Sequence, residues 1–204
     1  MRPLDAYAEL KALGAPVIET KTAATLLHMA PPHATRLLQA TERAGLALKL
    51  RHGLWLLDLA LDGYAIAPYL TTPYPAYISL WSALSAHDMI EQIPRRTYVA
   101  SLARPRTITT ARGEFQIHHL APEVFGGFTE ESRGRYLATP EKALFDSAYV
   151  RAVRRASFST PELTLPADFS AGELDKWTTR VSSPQLRTLT QRLLSQVLAG
   201  ASWG

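Results

Sequence analysis

The chain has 204 residues, of which 47% are hydrophobic and 20% are charged, and its formal net charge at pH 7 is +4. This length and apolar content allow a sizeable buried core, and we expect two small domains. The absence of cysteine excludes a disulfide framework and a cysteine-based zinc site. The longest apolar run, near residues 54–61, is interrupted by Asp58 and is too short to cross a bilayer.

The charge is distributed unevenly along the chain. Lys and Arg outnumber Asp and Glu by seven to four in residues 1–57 and again in residues 151–204, whereas residues 58–150 carry eight against ten. The basic character therefore lies at the two ends, which favours a polyanionic partner. The first residues contain no apolar signal core, so we expect a cytoplasmic protein with no membrane segment.

The N-terminal part predicts the order helix, strand, helix, helix, hairpin. A helix over residues 4–13 precedes a short strand over 16–18, which can pair with the hairpin. A second helix covers residues 23–27, and we expect Thr20 or Thr22 to cap it.

A third helix begins at the Pro31-Pro32 pair and runs to Arg43 or Ala44. Proline suits a first helical turn because its missing N–H would have no partner there. Gly45 ends the helix, as glycine does where a positive φ is needed. One apolar stripe follows helical spacing and is expected to face the core: Ala34, Leu37, Leu38 and Thr41.

Two short apolar runs, 46–50 and 54–57, are joined by Arg51-His52-Gly53 and predict a hairpin with a basic tip. A helix pair followed by a charged hairpin is typical of a winged helix-turn-helix, whose second helix reads the major groove of duplex DNA. We therefore predict a DNA-binding domain over residues 1–60. A helical subdomain with an ordinary solvated face, or a protein-interaction module, is the alternative.

The predicted DNA-contacting residues lie off the apolar stripe and on the hairpin. They are His33, Thr35, Arg36, Gln39, Arg43, Lys49, Arg51 and His52. Arginine pairs with guanine and glutamine with adenine, so Arg36 and Gln39 are expected to read bases. Arg43 and the hairpin residues are expected to hold phosphates.

A linker over residues 61–76, within a connector that starts at Asp58, is expected to contain at most one helical turn, over 65–70. The C-terminal domain then covers residues 77–204. Its predicted elements are a helix over 78–87 capped by Ser79, strands over 97–102, 106–110 and 114–120, a helix from Thr139-Pro140 to Arg155, a helix over 170–180, and a last helix opened by Ser183-Pro184. The predicted fold class is α+β: an N-terminal winged helix-turn-helix followed by a mixed α/β C-terminal domain that ends in helices.

Several clusters of reactive residue types have a structural explanation as well as a chemical one. Ser82, His87 and Asp88 are the residue types of a hydrolase triad but lie within one or two helical turns, and no Gly-x-Ser-x-Gly string occurs. His118 and His119 are potential metal ligands, alone or with His87, yet neighbours on a strand point to opposite faces. We expect one of the two to be packed and hydrogen-bonded and the other to lie at the surface.

Three further groups are interpreted in the same way. Glu141 is expected to serve a helix start, and Lys142 and Asp146 to form an i,i+4 pair rather than an active site. Gly126-Gly127 predicts a tight turn and not a phosphate-binding loop. The basic residues Arg151, Arg154 and Arg155 form either a solvated face, which we favour, or a second contact to the DNA backbone. We predict no catalytic residue, no enzymatic activity and no cofactor or metal.

Five short strings that follow a segment ending in His52-Gly53-Leu54-Trp55 resemble one family. The strings are Tyr77-Ile78-Ser79 with Ser82-Ala83-Leu84, Tyr98-Val99-Ala100, Phe115-Gln116-Ile117-His118-His119, and Ala138-Thr139-Pro140-Glu141-Lys142-Ala143-Leu144-Phe145-Asp146. In these strings, over about residues 5–155, the chain is similar to the AbiE-type antitoxins (AbiEi family), the DNA-binding half of a type IV toxin–antitoxin system. The most distinctive marker is Pro-Glu-Lys-Ala-Leu-x-Asp.

The resemblance implies a transcriptional autorepressor that binds inverted repeats in its own promoter. It also implies an antitoxin whose C-terminal domain counteracts a nucleotidyltransferase-like toxin, without requiring a stable complex. A ligand- or metal-responsive winged-helix repressor without a toxin partner is the alternative. An enzyme acting on nucleic acid would need paired carboxylates for Mg²⁺, and the acidic residues here are scattered or have helix-capping roles.

Overall fold

The computed structural model describes residues 2–131, 134–159 and 162–203. Within these ranges eight α-helices and eleven short strands alternate along the chain, which confirms the predicted α+β class. None of the described helices combines the length and the apolar character needed to cross a membrane.

The N-terminal part begins with the predicted order of elements. These are α1 (Pro3–Lys11), β1 (Val17–Glu19), α2 (Thr20–Leu26), α3 (Pro31–Arg43), β2 (Leu48–Arg51) and β3 (Leu54–Leu56). The strands form an antiparallel sheet in the order β1-β3-β2, so the predicted pairing of the first strand with the hairpin is confirmed. Gly45 has a φ of +72° after α3, as expected for a residue that ends a helix.

The predicted cap of α2 is wrong. Thr20 is the first residue of the helix, Glu19 precedes it, and neither Thr20 nor Thr22 caps it through a side chain. The Oγ1 atom of Thr20 instead accepts a hydrogen bond from the indole Nε1 of Trp55, at 2.9 Å. The threonine is therefore used to join α2 to the hairpin.

The small sheet is buried on both of its faces. Side chains alternate along a strand, so Ile18 and Trp55 pack with α1, α2 and α3 in one apolar cluster. Val17, Leu54 and Leu56 point the other way and belong to the large cluster that also contains the C-terminal part of the chain. The sheet thus forms a layer between the N-terminal helices and the remaining core.

A nine-residue helix, α4 (Gly63–Thr71), occupies most of the predicted connector, where at most one turn was expected. Asp62 caps it by accepting a hydrogen bond from the Ala65 N–H. Ile66 and Leu70 are fully buried in the large cluster. The helix was missed because its residues are almost all apolar, so no stripe with a 3.6-residue period marks it, and Pro68 lies within it.

The C-terminal part is built on a six-stranded mixed sheet in the order β6-β7-β5-β4-β9-β8. Its strands are β4 (Ala76–Ile78), β5 (Thr97–Ser101), β6 (Arg106–Thr110), β7 (Gly113–His119), β8 (Phe128–Glu130) and β9 (Tyr136–Ala138). The predicted strands over 106–110 and 114–120 correspond to β6 and β7, which pair as an antiparallel hairpin with Thr110 opposite Gly113. Strands β4, β8 and β9 were not predicted.

Four helices complete the core of the C-terminal part. They are α5 (Leu80–Ala86), α6 (Pro140–Val153), α7 (Ala171–Thr179) and α8 (Pro184–Leu198), and a parallel strand pair, β10 (Thr164–Leu165) and β11 (Ser202–Trp203), lies at the end. The last two of these helices pack against α6. Every residue from 141 to 150 is buried, so α6 is the central helix. Thr139 caps α6 as expected, and Ser170 and Ser183 cap α7 and α8 in the same way: each accepts a hydrogen bond from a backbone N–H in the first turn.

Gly126 and Gly127 both have positive φ, but they lie in an irregular segment without a hydrogen-bonded turn or a bend, so the predicted tight turn is wrong. A Cβ atom added at Gly127 would overlap the Trp177 ring and lie 3.0 Å from Cγ and Cδ of Lys142. Gly45 has the same φ of +72°, but an added Cβ there would meet nothing within 4 Å. An alanine at Gly45 would thus cause backbone strain only, whereas an alanine at Gly127 would cause the same strain and a steric overlap.

We predict that Gly45→Ala lowers the free energy of unfolding by ~1–2 kcal/mol, the strain of a left-handed alanine. Gly127→Ala should cost roughly 3–5 kcal/mol, since overpacking of the core adds to that strain. Urea denaturation of both variants measures the difference. Equal losses would show that the backbone at Gly127 can shift enough to accommodate the added methyl group without displacing Trp177.

Candidate functional site

The outer face of α3 is open to solvent. Arg36, Gln39 and Arg43 follow i, i+3, i+7 spacing, and all three are exposed, whereas Ala34 and Leu38 on the opposite face are fully buried. The predicted stripe is confirmed in this respect. The arginine side chains lie along their own helix, with Nε of Arg36 donating to the carbonyl of Pro32 at 3.5 Å. These hydrogen bonds use the Nε atoms, so the terminal guanidinium nitrogens of Arg36 and Arg43 can contact a partner.

A cleft of about 360 Å³ separates the start of α3 from the hairpin. It is lined by residues from four elements: Glu19 of β1, Thr20 and Lys21 of α2, Thr35 of α3, and Lys49, Arg51 and His52 of the hairpin. The Nε atom of Arg51 is buried and has no hydrogen-bond partner within the described residues. A guanidinium can only donate, and the cations Lys21, Lys49 and Arg51 outnumber the one carboxylate in the lining, that of Glu19.

The hairpin is held rigidly beside α3. The carboxylate of Glu42 on α3 accepts a hydrogen bond from the backbone N–H of Lys49, at 2.9 Å. At the other end of the hairpin, the carbonyl of Gly53 accepts one from the N–H of Thr20, at 2.9 Å. The hairpin is therefore joined to α3 at Lys49 and to α2 at Gly53.

The eight residues predicted from the sequence thus fall into two neighbouring groups. Thr35, Lys49, Arg51 and His52 line the cleft, and His33, Arg36, Gln39 and Arg43 are exposed on α3 outside it.

Sequence reasoning missed Lys21, an exposed cation of the cleft, and Glu42, which positions the hairpin. Lys21 was recognisable as a cation at the start of a helix. No local signal marked the contact of Glu42, which spans seven residues.

A second polar cluster lies entirely inside the C-terminal core. Lys142 forms an ion pair with Asp146 one helical turn away, and neither side chain is exposed. The other carboxylate oxygen of Asp146 accepts hydrogen bonds from Tyr77 at 2.9 Å and from Ser79 at 2.6 Å. The predicted i,i+4 pair is confirmed, whereas the predicted side-chain cap by Ser79 is wrong because its hydroxyl is engaged with Asp146.

Lys142 has no route to a substrate in this arrangement. Its ammonium also donates to the carbonyl of Val124 at 2.7 Å and lies 4.5 Å from the centre of the Trp177 ring. Burial lowers the pKa of Lys142, while the carboxylate of Asp146 opposes that shift. Glu141 accepts from the backbone N–H of Ser170 and so joins α6 to the start of α7. Each charged group of this cluster has a structural partner.

The triad residue types are not assembled into a catalytic site. The hydroxyl of Ser82 accepts from the backbone N–H of Tyr98, at 2.8 Å. His87 contacts the carbonyl of Ala138 through Nε2, at 2.7 Å, and Asp88 is exposed with a φ of +54°. The described residues contain no group of three or more potential metal ligands.

The two adjacent histidines lie on opposite faces of β7, as predicted. His119 is exposed, and His118 is only 4% exposed. Burial, together with the charges of Arg154 and Arg151, lowers the pKa of His118 to about 4. The groups that face it are Tyr98 on β5, stacked at 5.9 Å, and the two arginines on α6.

This lowered pKa predicts a pH-dependent stability. An unfolded histidine takes up a proton below pH 6.5, whereas His118 in the folded chain resists protonation until about pH 4. The resulting stability is complete above pH 6.5 and is lost as the pH falls through 4, by up to ~3 kcal/mol. Urea denaturation from pH 7 to pH 4 should therefore show a shallower decline for His118→Gln than for the unaltered chain.

His119→Gln is the matched control, since its ring is exposed, and it should retain the steep decline. A steep decline in His118→Gln as well would assign the effect to the carboxylates instead.

Neither a protein-family model nor a curated protein matches this sequence.

Proposed function

We propose that the chain is a transcriptional autorepressor that binds duplex DNA through an N-terminal winged helix-turn-helix, and that it is the antitoxin of a type IV toxin–antitoxin pair. The observation that carries the DNA-binding proposal is the solvent-exposed face of Arg36, Gln39 and Arg43. It lies on the second helix of a helix pair, next to a basic hairpin held at a fixed distance. In this proposal α2 and α3 form the helix pair, and β2 and β3 form the wing.

The dimensions of α3 support insertion into a major groove. Its 13 residues give a length of about 20 Å, and its diameter of about 10–12 Å matches the groove width of about 12 Å. Arg36 and Gln39 then face base edges. Arg43 and the hairpin cations reach phosphates, with Lys49 and Arg51 flanking the groove from the cleft.

The fixed hairpin supports the same proposal energetically. Ordering a mobile loop on binding costs conformational entropy, which is avoided when the loop is already held. The contacts of Glu42 with Lys49 and of Thr20 with Gly53 and Trp55 provide that order. The carboxylate of Glu42 accepts the hydrogen bond from Lys49, so in this proposal it does not face the duplex.

We expect Arg36→Glu to weaken binding to the chain's own promoter fragment by at least tenfold, ~1.4 kcal/mol. It removes a base contact and adds a repelled charge. The fold should be unaffected, because Arg36 is exposed. Arg192→Glu, the same change on the exposed face of α8, is the control and should bind within twofold of the unaltered chain. Fluorescence anisotropy measures both.

Equal losses in the two variants, or less than threefold loss for Arg36→Glu, would contradict the assignment of α3. The salt dependence gives an independent measure. About five phosphate contacts per protomer predict a slope of log K against log[salt] near −4.5, and a slope near zero would contradict duplex binding.

The antitoxin proposal comes from the family resemblance and concerns the C-terminal part. The string most typical of that family, residues 140–146, forms the start of α6 and provides the buried pair of Lys142 and Asp146. Residues 141–146 of this string are buried in the core of this chain. The resemblance therefore supports a core in common with the family more directly than a reactive group in common with it. The surface over that core is proposed to carry the antitoxic activity.

Co-expression with the nucleotidyltransferase-like protein expected in the adjacent reading frame tests this part. With the toxin under an independent promoter, the full chain should restore growth, and Arg36→Glu should restore it equally. Failure of both would contradict the antitoxin proposal alone. Rescue by the unaltered chain only would mean that protection requires DNA binding.

A further inference from the structure

A small cleft with basic walls lies on the C-terminal part, away from α3 and the hairpin. It is formed where α6 crosses the ends of β5 and β7, beside the start of α5. Its polar lining comes from Gln116, His118, Ser147, Arg151 and Arg154, with Trp81 and Tyr98 as aromatic walls. No acidic residue contributes to this lining among the described residues.

The protonation of His118 is determined by its neighbour. Nη2 of Arg154 lies 3.4 Å from Nδ1 of the imidazole, and a guanidinium can only donate. Nδ1 must therefore accept, which places the proton of the neutral ring on Nε2. That Nε2 is buried and has no hydrogen-bond partner within the described residues. A buried N–H donor without an acceptor costs free energy, and a ligand oxygen that reached Nε2 would remove this cost.

The two arginines supply further donors without a compensating charge. Arg151 in the last turn of α6 and Arg154 directly after the helix are spaced i,i+3, both are exposed, and both line the cleft. Neither forms a salt bridge in the part of the chain that the structure describes. Arginine forks are well suited to the oxygens of phosphate.

The backbone beside the cleft is in an unfavourable conformation. Leu80, which lines the cleft, has a φ of +51°, a region that a large side chain rarely adopts. Such residues concentrate at ligand-binding sites, where the surrounding structure enforces them.

We propose that this cleft binds the phosphate group of a ligand, whose oxygens accept from Arg151, Arg154 and Nε2 of His118. The cleft has a volume of about 100 Å³, well below the roughly 300–1,000 Å³ of pockets that enclose a whole small molecule. It therefore receives one tetrahedral group. That group belongs either to free phosphate or a phosphorylated small molecule, or to the backbone of bound DNA.

Histidine side-chain ¹H–¹⁵N spectra of the full chain, recorded at pH 7 during titration with inorganic phosphate, test the site. The His118 resonances, assigned by their absence in His118→Gln, should shift and saturate. Sodium chloride at equal ionic strength should leave them in place. Arg151→Gln/Arg154→Gln should lower the phosphate affinity at least tenfold, and Arg192→Gln should retain it within twofold.

A shift that chloride reproduces, or an equal loss of affinity in Arg192→Gln, would overturn the proposal, as would the absence of any shift. Because both arginines are exposed, the double variant is expected to stay folded. Far-UV circular dichroism checks this, and the single variant Arg151→Gln gives the same test without altering the contact to His118.

A second titration with a duplex oligonucleotide distinguishes the two sources of the phosphate group. If the duplex moves the same resonances, also in Arg36→Glu, the site contacts a DNA backbone independently of α3. If only inorganic phosphate moves them, the ligand is a small phosphate compound. Either result supports the site, and neither depends on whether α3 reads DNA.

Discussion

The buried ion pair of Lys142 and Asp146 is the interaction on which the C-terminal fold depends. Tyr77 and Ser79 reach it from the end of β4, Val124 from the turn after β7, and Trp177 from α7. A pair of this kind contributes little net stability, yet loss of one member leaves an uncompensated charge and costs about 3–5 kcal/mol. Its principal effect is therefore to specify how these segments meet.

The same pair determines the geometry at the start of α5. Ser79 donates to Asp146 instead of capping the helix, and the next residue, Leu80, adopts its positive φ. A left-handed leucine costs about 1–3 kcal/mol and persists because its neighbours on both sides are fixed. Leu80 therefore links the buried ion pair to the wall of the basic cleft. The shape of this wall depends on contacts within the protein core.

The α-helices that begin at proline, such as α3 and α6, were predicted correctly from the sequence. The helix α3 begins at the proline pair of residues 31–32 and is terminated by Gly45, as expected. Thr139 caps α6, also as expected. The fully apolar α4 and the three-residue β4 carry no periodicity, and long-range packing alone forms them. For the candidate surface, the basic and amide residues were identifiable from the sequence. The contact from Glu42 that positions Lys49, and the meeting of His118 with Arg154 across 36 residues, depend on tertiary structure.

The sandwiching of the N-terminal sheet between two apolar layers has a mechanical consequence. A fragment cut after the hairpin would present Val17, Leu54 and Leu56 to water, all of which are below 9% exposed in the intact chain. An uncovered patch of this kind favours aggregation. The helix pair and hairpin are thus not a detachable head on a flexible tether. The side chains of Val17, Leu54 and Leu56 are part of the large core, so the small sheet and the C-terminal part share one packed interior.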